Sequence, residues 1–374
     1  MENAISKKDM NSAITRCLET EYYTQGEIVA EFEKKFAQWN GTKYAVMVNS
    51  GSSANMLMID YMKMKYDLKN EDEILVPDIT WPTTVCPIIQ RNLSPVFCDV
   101  DGSFNIDIDS MKRMISSRTR GVFGVHLLGQ PIKLDETLDF CRRNGLFFIE
   151  DCCESQGAKH DGKKVGNFGE MGSFSFYFGH HMTTVEGGMI VTNDFEAHDF
   201  LRSMRNHGMV RDTNREGNYP GFENNRFVFD VLGYNLRSTN INAAIGLTQL
   251  KNIDGSLERR LENHKRFLHG LEGIPIIPQT VNLDETSSFS LAIVFPDQKT
   301  RESALRDLPK IYGIECRPVV AGNLLKQPLF RNTNYRRDSE DMANIVHWRG
   351  IYLPNNQFIG KDEIDYMIDS VKKI

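Results

Sequence analysis

Short apolar runs, each followed by an amphipathic stretch, recur along roughly the first 250 residues, and this alternation constrains the chain more than any other feature. The runs at 44–48, 74–76, 96–100, 121–126, 146–149, 173–176 and 189–192 are rich in Val, Ile and Phe and bounded by Gly, Pro, Asp or Asn. That pattern predicts buried strands. Helical patterns lie between several of them. One covers 109–115 after the start signal Asn105–Asp107, and another covers 134–143 and stops at Asn144-Gly145. Such alternation predicts an α/β fold, with a largely parallel sheet covered by helices on both faces. A charged helical segment over 239–271 then leads away, and after Pro275 and Pro278 a smaller α+β module begins. Its expected strands are 288–295 and 313–319, and its expected helices 300–312 and 361–373. The boundary falls within 250–275, dividing a large domain (1–250) from a smaller C-terminal one (251–374). The polar, Gly- and Asn-rich stretch 211–225 reads as a mobile surface loop.

Charge and cysteine usage exclude several classes. With 44 basic and 50 acidic residues the net charge is −6, so nothing draws the chain to nucleic acid or an anionic membrane. No apolar run approaches the roughly eighteen residues of a membrane span, and the opening MENAISKKDM has no hydrophobic signal core. The seven cysteines are odd in number and form no CxxC, which fits a reducing cytoplasm and small buried thiols rather than a disulfide framework.

Three clusters could carry chemistry. Asn49-Ser50-Gly51-Ser52-Ser53-Ala54 joins a strand to a helix. There, small residues let backbone N–H groups and the Ser52 and Ser53 hydroxyls face an anion; an ordinary helix cap has the same composition. Asp151 ends a strongly apolar strand, at the edge where open α/β sheets bind ligands, and Glu154 follows three residues on. An Asp that merely opens a turn would look alike. The third cluster runs from Ser173 through Ser175, His180 and His181 to Gly187-Gly188. Adjacent imidazoles tend to point apart, so no metal site is expected there. A structural role for either histidine is the competing reading.

Together the clusters resemble the DegT/StrS-like nucleotide-sugar aminotransferases, pyridoxal-phosphate (PLP) enzymes of fold type I, over nearly the whole chain. The blocks that carry the resemblance are Ser50-Gly51-Ser52-Ser53-Ala54, Val76-Pro77-Asp78-Ile79-Thr80-Trp81, Pro95-Val96-Phe97-Cys98-Asp99-Val100-Asp101, Glu150-Asp151, Glu186-Gly187-Gly188 and Gly233-Tyr234-Asn235-Leu236-Arg237. The resemblance implies that Ser52, Ser53 and Ser175 cradle the cofactor phosphate and that Trp81 stacks on its ring. Asp151, with Glu154 beside it, would hold the protonated ring nitrogen that makes the ring an electron sink. Asn235 would reach the phosphate of a neighbouring subunit, which implies a homodimer with shared active sites.

One departure redirects the expected reaction. Family aminotransferases carry a lysine eight residues before the last Gly of the Glu-Gly-Gly turn; here that residue is His180. Imidazole cannot form the imine that tethers PLP, so the cofactor is expected to bind non-covalently, while His180 remains able to move protons near neutral pH. The change resembles a subgroup of the family, the 3-dehydratases of 4-keto-6-deoxy nucleotide sugars. Glu154 and the segments Gly313-Ile314-Glu315-Cys316-Arg317-Pro318 and Gly322-Asn323 add to the likeness. It implies removal of the sugar C3 hydroxyl by a pyridoxamine phosphate (PMP) form regenerated from L-glutamate, with His180 as base and acid. A GDP-linked 4-keto-6-deoxymannose is the implied substrate, and deoxysugar and O-antigen synthesis the implied setting. His207 and Arg317 are candidate substrate contacts. A related iron–sulfur group needs downstream thiolates, and no cysteine lies between Cys153 and Cys316. An aminotransferase of other specificity and a catalytically silent binding homologue are the remaining alternatives.

Overall fold

The computed structural model describes residues 5–222 and 227–374, so the last residues of the expected loop at 211–225 lie outside it. The described chain forms two compact units, each discontinuous in sequence. The first comprises Met1–Lys69 and Gly166–Asn252, and the second Asn70–Val165 and Ile253–Ile374.

In the first unit, strand Gly188–Thr192 pairs antiparallel with both Tyr44–Val48 and Met171–Ser175. The sequence pattern predicts these strands but not their direction. Residues 176–187, which join two of them, contain no helix, and a short helix-free link favours antiparallel return over a parallel crossover. Helix Glu27–Asn40 covers this sheet through an aromatic cluster, with Phe36 meeting Phe174 and Phe176 at ring-centroid distances of 5.2 and 5.4 Å. Fully burying each such ring contributes about 1.5–3 kcal/mol.

The second unit holds the parallel strands. Phe147–Asp151 pairs with Thr119–Val125, which pairs with Glu73–Pro77, then Ser94–Cys98, then the short Arg336–Arg337, all parallel. Helices Pro82–Gln90, Ile108–Met114 and Leu134–Asn144 occur between these strands in the chain. Two of their expected signals are used: Asp107 caps Ser110 N, and Gly145 closes Leu134–Asn144 with a left-handed φ of 63°. A second, antiparallel sheet of Ile277–Pro278, Ser290–Val294, Gly350–Pro354 and Arg317–Pro318 packs its own core of Phe267, Leu291, Ile293, Leu308, Ile351 and Ile364.

Three expectations are corrected. The segment 239–271 is two helices, Asn240–Leu250 and Ile253–Gly270, because Asn252 N–H turns back to Gln249 O. The strand expected at 313–319 shrinks to Arg317–Pro318, since Gly313 (φ 66°) and the Ile314 N–H to Leu308 O bond serve to close the preceding helix. The strand expected at 96–100 sits earlier, at Ser94–Cys98, because the Asp99 carboxylate accepts from Val100 N–H and turns the chain out of the ladder. No helix among the described residues is long and apolar enough to cross a membrane.

Candidate active site

In the first unit, the strand-to-helix turn is a capped helix start. Ser50 is the N-cap of helix Gly51–Lys65, with extended backbone, and its Oγ accepts from Ser53 N at 3.1 Å. Ser53 is buried and donates its hydroxyl to Asn49 Oδ1 at 2.6 Å, whereas Ser52 is exposed. The amides of Gly51 and Ser52 are among those that helix geometry leaves without an intrahelical acceptor, and the helix dipole points the same way. Gly188 explains how this turn meets the sheet. It pairs with Val48 on one side and Ser175 on the other, and a Cβ placed on it would stand 2.3 Å from the Ser50 carbonyl carbon. Only glycine lets the strand pass beneath the helix start. Ser50–Ser53, Gly188 and Ser175 therefore lie close together in the first unit.

The loop after Ser175 carries the two histidines. His180 donates its N–H to Tyr177 O at 3.0 Å and is half-buried, while His181 is buried, so the two imidazoles do occupy different environments. The loop is tied by Thr183 Oγ1 to Phe176 O (2.9 Å) and by Asn242 Nδ2 to Thr184 O (2.8 Å). Asn235 forms a bridge with Asn206, and its neighbour Leu236 accepts from Asn49 N–H at 3.0 Å, which ties this segment to the turn just described. His207 is exposed, sits at φ 64° and donates its N–H to Tyr234 O at 2.7 Å.

In the second unit, Asp151 ends strand Phe147–Asp151 and is 5% exposed. Its Oδ1 accepts from Cys153 N at 3.1 Å and its Oδ2 from Thr84 Oγ1 at 2.8 Å. Trp81 is the N-cap of helix Pro82–Gln90 and is 57% exposed, an open indole face available to a flat partner. Glu154 accepts from Leu128 N at 3.0 Å. Burial, reinforced by the charge of Asp151, pushes the Glu154 carboxyl up to about 7 against the opposing pull of the Leu128 amide. Leu128 adopts a left-handed φ of 54° in presenting that amide, a strain of the kind that collects at functional sites. Arg317 is exposed and donates to Glu315 Oε1, at 3.0 Å from Nε; it is not bonded to the other candidates.

Several residues here had no role in the sequence reading. Thr84 and Thr80 stand behind Asp151, and their only sequence signal is their place around Trp81. His126 and Glu150 form a buried pair (Nε2 to Oε2, 3.1 Å). His126 Nδ1 accepts from Ile132 N at 3.2 Å, so its proton lies on Nε2, and its own N–H donates to Asp151 O at 3.0 Å.

Several known proteins are similar to this chain in sequence and fold. The GDP-4-keto-6-deoxy-D-mannose 3-dehydratase of Yersinia pseudotuberculosis is 35% identical over 98% of this chain and 96% of its own. A crystal structure of a GDP-4-keto-6-deoxymannose 3-dehydratase with a trapped PLP-glutamate geminal diamine superimposes with a TM-score of 0.93 at 34% identity, covering 99% of both chains. A His-to-Asn mutant of such an enzyme with bound GDP-perosamine gives 0.92 at 34% identity, again over 99% of both. The chain thus has the α/β fold of these enzymes, and the family described as DegT/DnrJ/EryC1/StrS aminotransferases matches residues 4–372. This chain belongs to the DegT/DnrJ/EryC1/StrS aminotransferase family.

Proposed function

We propose that this chain is a PLP/PMP-dependent 3-dehydratase that removes the C3 hydroxyl of a nucleotide-linked 4-keto-6-deoxy sugar, with a GDP-linked 4-keto-6-deoxymannose as substrate and L-glutamate as amino donor. The observation that carries the reading is His180, an imidazole on the loop leaving Ser175, where family aminotransferases carry lysine. The trapped glutamate adduct and the bound GDP-sugar in the similar enzymes support the two co-substrates.

When bound, the cofactor supplies an amine for the C4 ketone and a protonated ring that accepts the electrons released beside it. The chain's own residues do the rest. The Gly51 and Ser52 amides, with the Ser52 and Ser175 hydroxyls, hold the phosphate, and Ser53 braces the turn through Asn49. Trp81 covers the ring, and Asp151 keeps a proton on its nitrogen. Glu154, neutral for part of the time near pH 7, lends a second proton-bearing group beside Asp151. His180 carries the mobile proton on an imidazole nitrogen, taking it up as base and returning it as acid to the departing C3 hydroxyl. A lysine amine would compete by bonding covalently; imidazole leaves elimination as the exit.

Asn235 acts toward the phosphate of a second copy, so the working enzyme is a homodimer. Exposed apolar side chains of the first unit, Leu232 at 92% among them with Phe229 and Tyr177, support that assembly. His207 and Arg317 meet the substrate. The reaction runs in the cytoplasm, where the seven free thiols stay reduced. The test is direct: product analysis on GDP-, CDP- and dTDP-linked 4-keto-6-deoxy sugars with L-glutamate. His180→Asn should abolish C3 deoxygenation while leaving PLP bound, and unchanged turnover would overturn the proposal. His180→Lys should attach PLP covalently, read as a borohydride-fixed mass increase.

A further inference from the structure

We infer that Thr84, backed by Thr80, is a positioning residue for this chemistry: a two-hydroxyl relay that keeps the Asp151 carboxylate ionised and aimed. The inference rests on the reading of Asp151 as partner of the cofactor's ring nitrogen.

The relay is directional. Thr84 Oγ1 lies 2.8 Å from Asp151 Oδ2, and Thr80 Oγ1 lies 2.9 Å from Thr84 Oγ1. A hydroxyl has one proton. Thr84 gives its proton to the carboxylate, so Thr80 must donate to Thr84. Both threonines are buried, Thr84 at 0% and Thr80 at 1% exposure, where each such bond counts for more than in water and polarises the next.

What the relay does follows from charge. A carboxylate in a dry setting tends to take up a proton unless donors stabilise its charged form. Facing a pyridinium, that tendency would draw the shared proton from ring nitrogen to carboxylate and leave the ring neutral. Thr84 on Oδ2 and Cys153 N on Oδ1 oppose the transfer, and also fix the carboxylate plane.

The relay is also tied to the stacking residue. Thr84 N–H donates to Trp81 O at 3.1 Å, and Trp81 is the N-cap of the helix whose first turn contains Thr84. A single turn thus sets both the indole that would cover the ring and the hydroxyl that orients its partner carboxylate.

The experiment uses the full-length enzyme loaded with PLP labelled with nitrogen-15 in the ring. In the wild type the ring nitrogen should read as protonated, and Asp151→Asn should move its resonance toward the neutral form. Thr84→Val should move it the same way and slow the glutamate half-reaction about tenfold or more, with KM for glutamate changed much less. Thr84→Ser should restore both readings, and Thr80→Val should give a smaller shift in the same direction. A wild-type resonance and rate in Thr84→Val would overturn the inference alone. Should that variant not fold, an unshifted resonance in Thr80→Val would do so. An unmoved resonance in Asp151→Asn would overturn the reading of Asp151 and this inference with it.

Discussion

The two units hold their candidate residues with different materials. In the first, the proposed anion cradle is backbone: the opening amides of helix Gly51–Lys65, with glycine at 188 so that a strand can lie against the turn. In the second, the polar centre is side chain: Asp151 held by Thr84 and Cys153, Glu154 held by Leu128, His126 paired with Glu150. A backbone site tolerates loss of a hydroxyl but not a change of chain path. A side-chain site tolerates small backbone shifts but not loss of one donor. The difference predicts which substitutions matter in each.

The largest effect should come from Gly188→Ala. The new Cβ would stand 2.3 Å from the Ser50 carbonyl carbon and oxygen, atoms of a helix start that cannot move aside cheaply. We expect a loss of about 2–3 kcal/mol in unfolding free energy. PLP affinity should fall on the order of a hundredfold, since the anion site is displaced as a whole. Denaturant unfolding and absorbance titration with PLP check the two numbers. Near-wild-type affinity would mean that the cradle is not backbone-built.

The same contrast explains what could be read from sequence. Small residues between an apolar run and a helical pattern marked Ser50–Ser53 as a turn, open to an anion or to an ordinary helix cap, while Gly188 fell in a separate cluster and its approach to Ser50 had no sequence signal. Asp151 was legible from its place at a strand end. Its supporting groups were not. Thr84 lies 67 residues away in sequence and looks like any buried threonine, and nothing local marks Leu128 as a left-handed residue serving Glu154. Periodicity located the strands but not their directions, because pairing is set by connections between elements rather than within them. The segment expected over 239–271 is helical, but its break went unseen for a related reason: apolar spacing runs on through Lys251-Asn252 with neither glycine nor proline to mark the turn.

Glu154 sharpens the comparison through pH. Its carboxyl is raised from an ordinary 4.5 to about 7, first by burial and then by Asp151. The folded protein therefore binds this proton more tightly than the unfolded chain does. The stability that proton contributes is present below about pH 4.5 and is lost as pH rises through about 7. For the apo-protein we expect this group to lower unfolding free energy by about 1–3 kcal/mol between pH 5 and 8. Glu154→Gln should remove that component of the slope, measured as the difference between the two proteins' urea midpoints at both pH values. Parallel pH dependences would show that Glu154 is charged throughout.

Ser52→Ala should have the smallest effect, and for a stated reason. Ser52 is exposed, and the N-cap bond is made by Ser50 rather than by it. Alanine keeps the Ser52 amide and the helix dipole, which in a backbone cradle supply most of the attraction for a phosphate. The lost hydroxyl removes one neutral donor, about 0.5–1.5 kcal/mol, so PLP affinity should weaken only about two- to tenfold. Stability should change by less than about 0.5 kcal/mol. Inorganic phosphate, competing with PLP in the same titration, should lose affinity by the same factor, because the ring plays no part in that contact. A loss as large as that expected from Gly188→Ala would place the binding energy in the serine side chain and erase the distinction between the two units.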